Sequence, residues 1–337
     1  MINLLIFSDS SVTQQSIRNT IGEHPNIKIV GEPTSEQKTI ELAIKLKPDV
    51  MVINFETPSM NRLKTLQKIL SGASLPIIVI SNSSRFDTET IKAISFGAVD
   101  FIPIDLHNHK EDLINKILYW GNRNIEHTLQ YPKGTNSSIP SFLSHLTSEI
   151  GLIVIGTSAG GPVALLTLLK SIKELNCPMV IAQHLPKNFT KLLASYLHVE
   201  TGLNIVEGQH GLNLYPGLIA IAQGGIDSFI QEDQQGNIIL QEKIPSDLYC
   251  HPSIDTLFES AAHLSKPVLG IILTGMGTDG KLGARAISNT DNTIIAQSPA
   301  TCMVDTMPKT VIEDGHATYV LEISEIAQIL LKWCAFK

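Results

Sequence analysis

Apolar residues in this chain gather in short dense runs, and between the runs they recur every three or four positions, the pattern of buried strands alternating with amphipathic helices. In the first third the runs are NLLIFS, IKIVGE, DVMVIN, PIIVIS and DFIPI. Helical periodicity follows each of them: from Val12, from Ser35, near Asn61, near Asp87 and over Leu106–Trp120. Five such βα units predict an α/β fold with a doubly wound five-stranded parallel sheet over residues 1–120. From Gly121 to Ser148 the chain turns polar, and Pro, Gly and Ser between Tyr131 and Pro140 mark an interdomain linker, with a short helix around Ser141–Leu146. Residues 149–337 resume the alternation as a second α/β domain. There GLIVIG, PMVIAQ, VLGIILTG and NTIIAQ read as buried strands, and NIVEG, LIAIAQ, FIQED and NIILQ as shorter ones. The turn at Gln234–Asn237 predicts an antiparallel hairpin, hence a mixed, mostly parallel sheet.

Composition narrows the function classes. With 337 residues, 43% hydrophobic and 17% charged, the chain has enough apolar material for two domains with separate cores. A net charge of -7 and the absence of a clustered Lys/Arg stripe argue against a nucleic-acid partner. The longest apolar runs, LPIIVI and PVLGIILTG, fall well short of the roughly 20 residues a spanning helix needs. No basic, then apolar, leader opens the chain, so the expectation is a cytoplasmic protein without membrane insertion. Cys177, Cys250, Cys302 and Cys334 have no paired spacing and read as small buried hydrophobes rather than a zinc site or disulfide framework.

Three strand-like runs end in residues of complementary chemistry. GLIVIG leads into Gly156-Thr-Ser158-Ala-Gly160, MVIAQ into His184-Leu-Pro, and VLGIILTG into Met276-Gly-Thr-Asp279-Gly. A parallel sheet would bring Ser158, His184 and Asp279 to one carboxyl edge, where a nucleophile, its base and the base's orienter must converge. The G-x-S-x-G pattern lets the chain turn sharply and expose a serine oxygen. A tight turn or a phosphate loop would use similar glycines, but Pro162 stands where a P-loop places its lysine and G-x-G-x-x-G is missing. His184, followed by Leu-Pro, is expected to be exposed at its strand end, with helix resuming near Asn188. A hydrogen-bonded core histidine is the alternative, and Asp279 has one as a turn or helix-cap residue. The chain order Ser, His, Asp differs from the Ser, Asp, His order of α/β-hydrolases.

Together the segments IGTSAGGP, AQHLPKNFT, HPSIDTLF, GIILTGMGTDG and AQSPATCMVDTMP resemble the CheB-type protein-glutamate methylesterases, which join a response-regulator receiver to a serine hydrolase domain. The resemblance implies Ser158 as nucleophile, His184 as base, Asp279 as orienting acid and the Met276 backbone N–H at the oxyanion site. It implies no cofactor and no metal. The implied activity is demethylation of glutamyl methyl esters on methyl-accepting chemoreceptor helices during chemosensory adaptation, and it allows deamidation of glutamines there. A chemosensory kinase or array proteins would be further partners. The alternative is a catalytically weak regulatory scaffold of such an array. Two positions depart from the family's usual residues: Ala159 stands in place of Thr, and His251 in place of Arg, which removes a fixed cation that would favour an acidic receptor helix.

The first domain resembles a receiver in Asp9-Ser10, DVMVIN with FETPSM, and FGAVDFI, yet the residues of phosphoryl chemistry are replaced. The metal-binding acidic pair has become Ser8-Asp9, the acceptor position is Asn54, and Ile104 stands where the lysine belongs, while Ser81 keeps the place of the switch hydroxyl. An amide is no nucleophile for phosphoryl transfer and adds no charge to hold a metal. The expectation is a pseudoreceiver without a phosphorylation site, serving as a docking surface or as a lid over the hydrolase site.

Overall fold

Each apolar run in the first third forms a strand: β1 (Ile2–Phe7), β2 (Ile27–Gly31), β3 (Val50–Asn54), β4 (Ile77–Ser81) and β5 (Asp100–Pro103). The computed structural model describes residues 1–54, 60–72, 75–81, 93, 97–103, 105–106, 108–122, 150–245, 251–290 and 292–333. The chain divides into two compact units, Met1–Gln130 and Tyr131–Lys337. In the first, the five strands lie in the order β2-β1-β3-β4-β5 and all pair in parallel. Helices α1 (Ser11–Ile21), α2 (Glu36–Leu46), α3 (Met60–Gly72) and α4 (Lys110–Gly121) are described between and after them. Two of these starts are set by capping: the Ser10 and Ser35 hydroxyls accept the N–H groups of Thr13 and Lys38. Helix α4 begins at Lys110 instead of Leu106. Leu106 is buried in a turn, and Glu111 and Asp112 supply the acidic first turn that suits a helix N-terminus. The helix expected near Asp87, Ile104, the linker beyond Asn122 with its short helix, Cys250 and Cys334 lie outside the described residues.

The second unit is built on a seven-stranded sheet. Its strands are β6 (Leu152–Thr157), β7 (Met179–Gln183), β8 (Asn204–Glu207), β10 (Leu218–Ile221), β13 (Val268–Ile272), β14 (Thr293–Gln297) and β15 (Tyr319–Leu321). They run in the order β15-β14-β13-β6-β7-β10-β8, and every pairing is parallel. The expected hairpin forms, from β11 (Asp227–Glu232) and β12 (Ile238–Lys243), but it pairs with β9 (Leu212–Leu214) in a separate antiparallel sheet. The seven-stranded sheet is therefore not mixed. Its strands carry apolar residues on both faces, as a parallel sheet covered on both sides requires.

Helices α5 (Gly161–Lys170), α6 (Phe189–Thr201) and α10 (Ile323–Trp333) pack in one group. A second group, α7 (Ile254–Ala261), α8 (Lys281–Ser288) and α9 (Thr306–Glu313), packs with the antiparallel sheet over a core that includes Leu152, Val154, Val180, Phe258, Ile272 and Ile287. Strand β6 is the first of this unit, the chain then fills the sheet toward β8, and it later returns to the other side of β6 with β13. The crevice at such a switch point, beyond the carboxyl ends of the strands, is where open α/β sheets bind ligands.

Phe258 anchors α7 in this core: fully buried, it lies against Gly270 of β13 and Gly283 of α8. Phe258→Ala is expected to destabilise the second unit by about 3–5 kcal/mol, lowering the midpoint of its thermal transition by roughly 10 °C. Calorimetry that finds the midpoint unchanged would contradict this packing.

Candidate active site

The ends of β13, β6 and β7 stay hydrogen-bonded beyond the strands themselves. Leu273 N–H reaches Gly156 O at 2.9 Å, Ser158 N–H reaches Thr274 O at 3.1 Å, and His184 N–H reaches Thr157 O at 3.1 Å. These bonds place Ser158 and His184 on adjacent strand ends. A buried polar layer beneath holds the edge in shape. The Thr157 hydroxyl donates to Thr274 O, Gln183 Nε2 to Ser158 O at 2.9 Å, and the Thr274 hydroxyl to Ala159 O at 3.0 Å, while Thr274 N–H donates to Gln297 Oε1 at 2.9 Å. Thr157, Gln183, Thr274 and Gln297 are all buried, and the residue-by-residue reading of the sequence passed over them. Their signal was there, in a polar residue closing or just following an otherwise apolar buried strand.

Ser158 sits at the bend between β6 and α5, whose N-cap, Gly160, has φ 77°, the left-handed conformation that favours glycine. Across the bend lies Gly275. A Cβ there would come within 2.9 Å of Ser158 Cβ and 2.2 Å of Met307 Sδ, so only glycine lets this backbone lie so close to the serine. Met276 is half-buried, and among the described residues its backbone N–H has no acceptor.

His184 Nε2 lies 2.7 Å from Asp279 Oδ2. The expected exposure of this histidine is corrected: its side chain is only 7% exposed, because the ring is turned inward to meet the carboxylate. With Nε2 engaged by Asp279, Nδ1 is the nitrogen left to exchange a proton, and it is buried without a hydrogen-bond partner among the described residues. No hydrogen bond joins Ser158 Oγ to the imidazole among the described residues. Such contacts are often long before substrate binds.

Asp279 does not cap its own helix. Its carboxylate accepts the backbone N–H of Ile254 at 2.8 Å and of Asp255 at 2.9 Å, the first two residues of α7, as well as Gly280 N–H at 3.0 Å. Burial pushes its pKa up. The hydrogen bond and charge of His184, with the two α7 N–H groups, outweigh that and hold it below the ordinary aspartate value. Stability from this ionised carboxylate is thus present above the ordinary range and lost only as pH falls through its lower folded-state value. Asp255 behaves oppositely: burial, then the nearby charges of Asp279 and Glu259, raise it to about 6 despite the hydrogen bond from Gly283 N–H.

His251 lies on the approach to α7. Its Nδ1 pairs with Asp227 Oδ1 at 2.7 Å, and the same oxygen accepts Ser253 N–H at 2.8 Å. Only 12% exposed, the imidazole is built into the support of the α7 N-terminus. Cys177 and Cys302 are buried thiols, and burial pushes Cys302 far above the usual thiol range. Among the described residues no group of three or more His, Cys, Asp or Glu side chains converges as a metal-ligand set.

In the first unit, Ser8 and Asn54 are buried at the sheet edge, and Asn54 Nδ2 donates to Ser8 Oγ at 3.1 Å. The same hydroxyl accepts Ser10 N–H at 3.1 Å. Asp9 is exposed and Ser81 buried. A neutral bridge between β1 and β3 thus occupies the place expected for an acidic cluster.

Residues 153–330 match the CheB methylesterase family model, and residues 4–117 match the response regulator receiver domain model. A protein-glutamate methylesterase/protein-glutamine glutaminase of Geobacillus kaustophilus is 32% identical, with 98% of each chain aligned. The Bacillus subtilis protein of the same name is 30% identical, with 97% of each chain covered. The catalytic domain of the Thermotoga maritima CheB methylesterase superposes with a TM-score of 0.52 and 34% identity, covering 55% of this chain and 99% of that domain.

The raised Asp255 gives a signed prediction. A carboxyl whose folded-state value, about 6, lies above its unfolded value near 3.9 favours folding below that lower value, and the advantage is lost as pH rises through about 6. Asp255→Asn keeps an acceptor for Gly283 N–H and removes the charge. Its thermal midpoint should exceed wild type at pH 7.5 and not at pH 4; a gap independent of pH would show that the charge is not the cause.

Proposed function

We propose that this chain, which belongs to the CheB methylesterase family, removes methyl groups from glutamyl γ-esters on chemoreceptor helices through an acyl-enzyme on Ser158. The chain is a protein-glutamate methylesterase by family, and the family's part in chemotaxis is adaptation of the receptors. The observation that supports the residue assignment is the pair His184–Asp279, set beside Ser158 on neighbouring strand ends with a second imidazole nitrogen, Nδ1, unengaged.

The steps follow from those positions. Ser158 Oγ bonds to the ester carbonyl carbon as its proton passes to His184 Nδ1. Asp279 stabilises the imidazolium through Nε2 and fixes its orientation. The negative oxygen of the tetrahedral intermediate takes the Met276 N–H, and one donor of this kind contributes about 3–4 kcal/mol to the transition state. Breaking the carbon–methoxy bond lets His184 return the proton to methanol. Water then repeats the sequence on the acyl-enzyme and leaves a free glutamate. A glutamine amide can enter the same path with ammonia as leaving group, which is the deamidating activity named for the relatives. Receptor helices are the substrate partner in this reading, with a chemosensory kinase or array proteins as further partners. No described helix is long and apolar enough to cross a membrane.

The first unit, in this reading, is a pseudoreceiver. Its Asn54–Ser8 bridge leaves no carboxylate at the acceptor position, so the charge of an aspartyl phosphate cannot drive it between states. Control of the esterase passes to another signal, such as a docked partner.

Two experiments test these assignments. Ser158→Ala should abolish methanol release from a methylated receptor fragment and end labelling by a fluorophosphonate. A loss on the order of 10⁶ in kcat is expected there, against roughly 10⁴ for Asp279→Asn; near wild-type turnover in Ser158→Ala would refute the mechanism. Acetyl phosphate should neither label residues 1–120 nor raise the rate, and covalent phosphate there with a matching gain in rate would overturn the pseudoreceiver assignment.

A further inference from the structure

Helices α7 and α8 cap each other. Asp279, just before α8, accepts the N–H groups of Ile254 and Asp255 at the start of α7. Asp255, the second residue of α7, accepts Gly283 N–H at 2.7 Å in the first turn of α8. Each acid thus takes up backbone donors that the other helix cannot satisfy within itself. The crossing is close: a Cβ on Gly283 would lie 2.4 Å from Phe258 Cβ and 3.1 Å from both Asp255 Cα and Asp255 O. The carboxylate that meets His184 is therefore held from two sides, directly by the α7 N–H groups and indirectly by whatever keeps α7 seated on α8.

We propose that Asp255 is a positioning residue for the His184–Asp279 pair: its bond to Gly283 N–H locks α7 onto α8 and keeps the Asp279 carboxylate at His184 Nε2. The inference rests on the esterase reading above and adds to it a residue that touches neither substrate nor serine. The charged groups facing Asp255 are Asp279 from the loop before α8 and Glu259 from its own helix, with His184 reached only through Asp279. Both of these neighbours are acids, and burying Asp255 beside them is costly. What the positioning role requires of this residue is the acceptor oxygen for Gly283 N–H, not its charge.

The test compares Asp255→Ala, which removes the acceptor, with Asp255→Asn, which keeps it. Methanol release from a methylated chemoreceptor cytoplasmic fragment gives kcat and KM. The low-field proton resonance of the His184–Asp279 hydrogen bond, identified by its loss in His184→Gln, reports the geometry without turnover. In Asp255→Ala, kcat should fall about 10- to 100-fold with KM within about twofold, as expected when a catalytic group is displaced while binding is intact. The resonance should disappear or move in the same variant. Asp255→Asn should restore the resonance and bring kcat to within about threefold of wild type. If Asp255→Ala does not fold, Asp255→Ser, with a shorter acceptor, is read in its place and should fall between the other two. Wild-type kcat and resonance in Asp255→Ala, or an Asn variant as impaired as the Ala one, would overturn the proposal. If wild type itself releases no methanol, or Ser158→Ala releases as much, the esterase reading fails separately, and the resonance alone decides whether Asp255 positions Asp279.

Discussion

A carboxylate withdrawn from water must find substitutes for the hydration it loses, and in this protein that requirement organises the second unit. Asp279 finds them at the N-terminus of α7, where two backbone N–H groups and the helix dipole favour a negative charge, and at the imidazole of His184. The two N–H donors are in place only when α7 is seated, and α7 is seated by Phe258 in the core, by Ser253 as its N-cap and by the exchange of caps with α8. The histidine inherits its position in turn. Its Nε2 is committed to the carboxylate and its Nδ1 is left toward the proton that the proposed reaction moves.

The first unit shows the same fold logic without the charge. A five-stranded parallel sheet needs its apolar strands and capped helices, and both are present. It does not need an acidic cluster at its carboxyl edge. There, one amide and one hydroxyl bridge β1 and β3 where several carboxylates would repel one another unless a cation held them together. A neutral pair at this edge is therefore compatible with the five-stranded fold, which rests on strand rhythm and capped helices.

Much of this was legible in the chain. Strands read as unbroken apolar runs because they are buried on both faces, and the residues ending three of them, Ser158, His184 and Asp279, stand out since polar residues interrupt such runs only for a reason. Other parts were hidden by physics that a linear reading does not see. The exposure of His184 was misjudged because the loop that covers it is about 95 residues away, an interval reflected in its bond to Asp279. The hairpin's sheet was misassigned because pairing with β9 depends on tertiary placement, not on the turn that announces it. Asp255 looked like any acid in a helix's first turn, and its partner Gly283 carries no side chain to suggest a contact.

Covalent acylation of Ser158 by a glutamyl ester is the step on which the proposed chemistry depends. Rapid mixing of the protein with a methyl-esterified receptor fragment, acid quench and peptide mass spectrometry measures this directly. The predicted result is a transient adduct of the fragment on the peptide containing Ser158, appearing with methanol and decaying to free glutamate. Methanol released with no adduct at any time, or an adduct on another residue, would contradict it.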